Sequence, residues 1–299
     1  MLASLSRRAL PLLHRPSIGA LGHAARQCSA AALEHASSCY LPTSWMELPL
    51  VAKREHNHDS TVYSFGLPEG QSLNLPVCAC LLLRVPGTPD DVVRPYTPIS
   101  DNETTGSFDL LVKRYPGGAA SQYLHGLELG ATVGFKHIKF NVKQQYPFGK
   151  RSVSMLCAGS GVTPMYQALL KLVDTPGDAT EVVLLYGNKS VDDILMREEL
   201  DELVRRAQGR LKVVHVVGAK ADAAPPAGWA STETFTAEAG WVDKDKIQKY
   251  CFAPSDDTLV FVCGLPSMYE ALCGPRTEPL AEGTILHELG YQPGMCVKM

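Results

Sequence analysis

Arg94-Pro95-Tyr96-Thr97-Pro98-Ile99-Ser100 is the stretch on which the reading of this chain turns. Its two prolines hold the backbone extended and remove amide donors, which suits an edge strand whose side chains are left free to work. Those side chains are a guanidinium, a phenol and two hydroxyls, a set matched to a flavin and its pyrophosphate. Further along, Gly159-Ser160-Gly161-Val162-Thr163-Pro164 is a glycine turn of the kind that seats a second nucleotide at a helix start. Two redox nucleotides in one chain mean electron transfer.

Each string has a plainer meaning when taken alone. The first also reads as an edge strand running into a turn, with Tyr96 half-buried and Arg94 solvated. Glycine pairs, likewise, punctuate many strand-to-helix turns. Order and context decide between these meanings.

The 299 residues are 45% hydrophobic and 20% charged, with a formal net charge of -3. That content supports an ample core and, by length, two domains. It advertises no basic face, so no nucleic acid is expected as a partner. The nearest approach to a membrane span, Pro76-Val77-Cys78-Ala79-Cys80-Leu81-Leu82-Leu83, is broken by Arg84 and is far shorter than the roughly 20 apolar residues required. No transmembrane span is expected, while association with a membrane stays open. The nine cysteines form no C-x-x-C pair and no Cys/His spacing suited to zinc or an iron-sulfur cluster. They read as buried or free thiols in a reducing setting, no metal is expected, and any electron path must use organic cofactors.

Arg7, Arg8, Arg15 and Arg26 precede the first acid, Glu34, with Ser4, Ser6, Ser17 and Ser29 set among alanines and leucines. Arg-rich, Ser-rich and acid-free is the composition of an organelle-import peptide, so residues 1–40 are expected to be a mitochondrial targeting segment. A disordered tail is the alternative.

Two periodicities divide the remainder. From Pro42 to about Phe148, strand-like runs at Val51–Arg54, Thr61–Leu67, Ala79–Val85, Phe108–Arg114 and Thr132–Ile138 alternate with turn residues, which predicts a small six-stranded antiparallel barrel over residues 43–149. After Lys150, strands at Ser152–Cys157, Glu181–Tyr186, Leu211–Val217 and Thr258–Cys263 alternate with helices at Pro164–Val173 and Asp192–Arg206. That rhythm predicts a doubly wound parallel sheet over residues 151–299. Ala219–Ser231, rich in Ala and Pro, reads as a segment of low order.

In a doubly wound sheet ligands sit at the carboxyl ends of strands, where Gly159 and Gly161 are placed and where Pro164 fits the first helical turn. The third glycine of the usual dinucleotide fingerprint is missing, which weakens a single-domain dehydrogenase reading. Cys263-Gly264-Leu265-Pro266-Ser267-Met268 closes a second buried strand in the same way, or is a buried cysteine followed by a capping turn. Gly117-Gly118-Ala119-Ala120-Ser121 reads as a helix start with Ser121 as N-cap, offering amide donors to phosphate, or as an ordinary hairpin turn. Asp192 and Asp193 read as caps of the following helix.

In this order, Arg94–Ser100, Gly117–Leu124, Gly159–Met165, Gly187–Leu195 and Cys263–Met268 resemble the ferredoxin-reductase superfamily, and most closely the NADH-cytochrome b5 reductases. Phe135–Val142, Gln145–Phe148 and Leu289-Gly290-Tyr291 are similar to the plant and fungal-type mitochondrial branch. The likeness covers about residues 43 to 299.

The resemblance implies a flavin-binding barrel joined to a nicotinamide-binding domain, with FAD and NADH meeting between them. By that pattern Arg94 would pair with the FAD pyrophosphate, Tyr96 would lie against the isoalloxazine and the Thr97 hydroxyl would reach N5, with Pro95 and Ser100 in the same segment. Leu111, Lys113 and Tyr115 would help hold the cofactor, and Gly117, Gly118 and Ser121 would give phosphate contacts. Thr163 would approach the ring from the nicotinamide side. Cys263 would stand beside the nicotinamide C4, with Gly264, Pro266 and Met268 shaping its pocket. His58 occupies the place of a histidine linked to proton release; an exposed loop histidine is the plainer alternative. Gly218 and Lys220 leave the choice between NADH and NADPH open. The acceptor implied is cytochrome b5 or a similar haem protein, with Lys136, Lys139, Lys143, Lys150 and Arg151 as a basic rim for it. The alternatives are a quinone, an iron-sulfur or nitrate-reductase-type acceptor, or a nucleotide-binding regulatory protein without turnover.

Overall fold

Alternation of buried and exposed positions organises the first half of the chain, as in β3 (Leu81–Val85), where Leu81, Leu83 and Val85 point inward. The computed structural model describes residues 39–87, 92–138 and 144–299. Almost all of the expected import segment, and Lys139 and Lys143 of the expected rim, lie outside the described residues. β1 (Met46–Asn57), β2 (Ser60–Gly66), β3, β4 (Val92–Tyr96), β5 (Ser107–Lys113) and β6 (Thr132–His137) form one antiparallel sheet in the order β4-β3-β6-β1-β2-β5. Its core centres on Phe65, Phe108 and Phe135, whose rings lie 4.6–5.7 Å apart. Edge contacts of this kind add to the burial of each ring.

The second half changes to continuous burial. β7 (Ser152–Ala158) and β11 (Thr258–Cys263) each bury five consecutive residues, as strands covered on both faces must. With β8 (Glu181–Asn188), β9 (Leu211–Val217), β10 (Phe235–Ala239) and β12 (Cys296–Lys298) they make a parallel sheet in the order β10-β9-β8-β7-β11-β12. Five further helices follow α1 (Ala119–Gly126) of the first half: α2 (Val162–Asp174), α3 (Arg197–Arg206), α4 (Lys244–Tyr250), α5 (Pro266–Leu272) and α6 (Ile285–Glu288). α2 packs through Met165, Leu169 and Leu172, all fully buried, as its apolar spacing predicts.

Two strands, β10 and β12, were not among those expected, while β4 is the edge strand that the prolines of its string suggested. β4 carries Pro95 opposite Leu82 and pairs only with β3, so it is an edge strand that alternation does not reveal. β10 is an edge strand in which only Phe235 is fully buried, and β12 is three residues long. The third helix begins at Arg197, not Asp192, because Val191–Asp193 form a separate 3₁₀ turn. Asp192 and Asp193 therefore do not cap it.

His215, on β9, is fully buried among Tyr186, Trp229 and Phe235, and neither ring nitrogen has a hydrogen-bond partner. Burial, aided by the Arg197 guanidinium that stacks over Phe235, lowers its pKa from 6.5 to about 4. The folded state thus holds the neutral ring, and the unfolded chain takes up the proton between those two values. Stability from this residue is present above pH 6.5 and is lost as pH falls toward 4. Urea midpoints are expected to report a loss of about 2 kcal/mol from this residue between pH 7 and pH 5, and His215→Phe should remove that loss.

Candidate active site

The parallel sheet winds outward in two directions from β7, through β8, β9 and β10 on one side and through β11 and β12 on the other. Loops leaving the carboxyl ends of β7 and β11 therefore part, and a crevice opens between them. Gly159–Gly161 leaves β7 there, with Gly159 at φ +53°. A Cβ on Gly161 would lie 2.3 Å from the Cys263 carbonyl oxygen, so the backbones of the two turns touch and only glycine fits. Gly161 is the N-cap of α2 and no side chain caps that helix, which leaves its first amides to a ligand. Cys263 ends β11 opposite Cys157, and burial, opposed by a bond with the Tyr269 hydroxyl, raises its thiol pKa. It is held as a neutral thiol, not a nucleophile.

The opposite wall comes from the barrel. Arg94 is exposed in the middle of β4, and the Val93 carbonyl, 2.8 Å away, takes one of its donors. Burial pushes the Tyr96 hydroxyl up to about 12, with Arg94 working against it, so its ring is an apolar face with a neutral tip. Gly118, not Ser121, is the N-cap of α1. Ser121 lies inside the helix, where its hydroxyl donates to the Gly118 carbonyl at 3.0 Å and accepts from the Tyr115 amide at 3.1 Å. A helix start without a side-chain cap beside a guanidinium is an anion cradle, so the residues present fit the pyrophosphate of FAD.

These walls enclose a single cleft of about 1130 Å³. The barrel contributes Arg94, Pro95, Tyr96, Thr97, Leu111, Lys113, Tyr115, Gly117, Gly118 and Ser121. The parallel sheet contributes Gly159, Gly161, Thr163, Pro164, Cys263, Gly264, Pro266 and Met268. Thr97 and Cys263 thus border the same space from opposite domains.

Two of the expected site residues are elsewhere. Ser100 turns away because Ile99 N–H bonds the Asp109 carbonyl, and its hydroxyl then accepts from the Asp109 amide at 3.1 Å. His58 stands outside the cleft lining, its side chain half-exposed and its Nε2 3.6 Å from both Asp59 and Asp193.

That cluster ties the domains together. Lys113 Nζ lies 2.7 Å from Asp59 and 2.8 Å from Asp193, and Ser190 donates to the latter carboxylate. Burial would raise the Asp193 pKa, but the bonds from Lys113 and Ser190 outweigh it and hold the carboxyl below its usual range. The Met196 amide also donates to His56 Nε2 at 3.0 Å, and Asn57 to the Asp192 carbonyl at 2.9 Å. His58, Asp59 and Asp193 lie close enough to hold a metal ion, yet both carboxylates already bond the Lys113 ammonium.

Sequence reasoning missed Cys78, Cys80, Asn188, Lys189, Trp241 and Arg276, all of which line the cleft. Asn188 and Lys189 lie in the Gly187–Leu195 stretch without having been given a role, and Gly240-Trp241 carried a local sign, a glycine turn followed by an aromatic that ends up 55% exposed.

Comparison with known proteins gives consistent results. The model of the oxidoreductase FAD-binding domain matches residues 47–142, and that of the oxidoreductase NAD-binding domain matches residues 155–274. NADH-cytochrome b5 reductase 2 of Saccharomyces cerevisiae is 37% identical over 85% of this chain and 82% of its own length. The protein of that name from Scheffersomyces stipitis is 36% identical over 83% and 80%. An NADH-cytochrome b5 reductase-like protein of Arabidopsis thaliana is 36% identical over 86% and 77%. Among solved structures, the cytochrome b5 reductase domain of Ulva prolifera nitrate reductase superposes with a TM-score of 0.70 at 29% identity, covering 88% of this chain and all of that one. A ferredoxin NADP+ reductase from Neisseria gonorrhoeae with bound FAD and NADP shares the fold at a TM-score of 0.63 and 16% identity, over 85% of this chain and 98% of its own.

Proposed function

Because this chain belongs to the NADH-cytochrome b5 reductase family, we propose that it takes hydride from NADH onto FAD and passes the electrons singly to cytochrome b5 or a similar haem protein. The observation that carries this reading is the single cleft shared by the Arg94–Thr97 segment and the two touching glycine turns. The chemistry a bound FAD supplies is the conversion of an electron pair into single electrons.

The protein's own task is to hold and orient. Arg94 and the amides at the start of α1 would neutralise the FAD pyrophosphate, Tyr96 would pack against the ring and Thr97 would offer its hydroxyl to it. The amides of α2 would hold the dinucleotide phosphates, while Thr163 and Cys263 would flank the nicotinamide. Lys113, bonded to Asp59 and Asp193, sets the spacing of the two walls and so the distance between the rings. His58, beside Asp193 at the rim and outside the cleft lining, would take up through water the proton released when the electrons of the transferred hydride leave singly.

No helix among the described residues is long and apolar enough to cross a membrane. The acid-free, Arg-rich start of the chain supports mitochondrial import, which subcellular fractionation of the tagged full-length protein tests.

Purified protein is expected to be yellow, to bleach on anaerobic addition of NADH, and to regain its colour when oxidised cytochrome b5 is added. A protein that cannot be loaded with FAD, or a bound flavin that NADH does not bleach, would sink the proposal. Recovery with quinone but not with cytochrome b5 would move the acceptor to the second class.

A further inference from the structure

Apart from Cys263, the cysteines have no task in the reaction above. Burial raises the thiol pKa of Cys39, Cys78, Cys157, Cys251 and Cys263, so each is held as a neutral, inert thiol. Cys273 is displaced the other way. A bond from the Cys296 thiol, helped by the Lys298 ammonium, outweighs burial and holds the Cys273 thiol below its usual range.

The fold sets these three residues together. Cys273 is fully buried at the carboxyl end of α5, where its amide bonds the Tyr269 carbonyl at 2.8 Å. Cys296 opens β12 beside Val260 of β11 and is only partly covered. Residues two apart on a strand share a face, so Cys296 and Lys298 point to the same side of β12. There Lys298, only 4% exposed, donates to the Gly274, Pro275 and Pro279 carbonyls at 3.0, 2.8 and 3.0 Å, all in the segment that follows Cys273. Both cysteines belong to one apolar cluster. The Gly274 carbonyl, 4.0 Å from the Cys273 sulfur, is a distant second partner for that thiol. An ammonium has three donors, and here all three end on neutral oxygens. A thiolate in the pair supplies the countercharge that carbonyls do not.

We propose that Cys273 and Cys296 are an oxidisable dithiol, closed to a disulfide by hydrogen peroxide, and that the crosslink slows hydride transfer from NADH. The thiolate of the pair attacks one peroxide oxygen: an S–O bond forms, the O–O bond breaks, and the hydroxide released takes up the proton that the thiol lost. The second thiol then attacks that sulfur: the S–S bond forms, the S–O bond breaks, and the hydroxyl leaves with the second thiol proton as water. Two sulfurs are oxidised and the peroxide is reduced to two waters. Partly exposed Cys296 gives the peroxide its approach. Closing to the about 2 Å of an S–S bond falls on β12, three residues long at the sheet edge, and not on the packed helix.

The end of α5 is coupled to the cleft. One turn before Cys273, the Tyr269 hydroxyl bonds the Cys263 thiol and donates to the Met299 carbonyl at 2.6 Å. Met299 and Met268 both border the cleft. A crosslink between α5 and β12 therefore acts on the residue placed beside the nicotinamide. This effect rests on the nicotinamide reading given above, whereas the crosslink itself does not.

The test uses purified FAD-loaded protein treated with hydrogen peroxide, which is then removed. Peptide mapping without reduction is expected to find Cys273 joined to Cys296, and dithiothreitol should restore both thiols. Lys298→Gln, which keeps donors and loses the charge, should slow closure several fold. Flavin bleaching by NADH should be several fold slower in the crosslinked protein and recover on reduction, whereas Cys273→Ser should bleach at one rate before and after peroxide. Cys296→Ser, changed at the partly exposed position, gives the uncrosslinked control if the buried substitution disturbs folding. Oxidation of other cysteines while Cys273 and Cys296 stay reduced overturns the proposal, and so does a crosslink that leaves the bleaching rate unchanged. A protein that crosslinks but whose flavin NADH never bleaches overturns the nicotinamide reading, and with it the effect on hydride transfer, while the dithiol stands.

Discussion

Gly161→Ala is expected to leave FAD bound and to slow the bleaching of the flavin by NADH on the order of a hundredfold. The added methyl would sit 2.3 Å from the Cys263 carbonyl oxygen and 2.8 Å from its carbonyl carbon. Both are backbone atoms, so no side-chain rotation relieves the contact, and a close-packed interior passes the displacement on. The two turns end adjacent strands, β7 and β11, paired through Cys157 and Cys263. Forcing them apart moves Thr163 and Cys263 together, the two residues placed against the nicotinamide. Gly159→Ala is the control: φ there is +53° but the space around it is open, so it carries only backbone strain of about 1–2 kcal/mol. Rapid-mixing absorbance under anaerobic conditions reads both rates. A Gly161→Ala protein that bleaches at the unaltered rate would mean that these turns do not frame the hydride-transfer site.

Arg94→Ala should have the opposite signature. FAD is expected to dissociate about a hundredfold more readily, corresponding to roughly 3 kcal/mol, because a charge-assisted contact to a phosphate is lost while the phosphate charge remains. Arg94 is exposed on an edge strand and its identified bond is to its own neighbour's carbonyl, so the fold itself should be little disturbed. Arg94→Lys should recover part of the affinity, as an ammonium restores charge without the paired donors. Flavin released on dilution, followed by fluorescence, gives the number. Unchanged retention in Arg94→Ala would move the pyrophosphate elsewhere along the cleft, toward the start of α1 alone.

Much of this site was legible in the residues. The Arg94–Thr97 string and the glycine turn at Gly159–Gly161 combine rare side-chain and backbone properties within a few positions, and such local properties survive whatever the tertiary structure does. Where reasoning failed, a long-range bond had taken over. Ser100 looked like part of the flavin string, but the pairing of Ile99 with Asp109 turns its hydroxyl to the backbone. Ser121 looked like a helix cap, but the start of α1 shifted to Gly118 and left it to brace Tyr115. Asp193 looked like a cap and became the partner of Lys113 in the other domain.

The chain by itself determined that an alternating half precedes a continuously apolar half, and which residues are able to hold anions and flat rings. Periodicity and functional-group chemistry are written position by position, so they need no coordinates. Contact between Gly161 and Cys263 and the ionic tie from Lys113 to Asp193 were decided only by the packing of the two sheets. Each depends on separations that strand order sets and that no local pattern encodes.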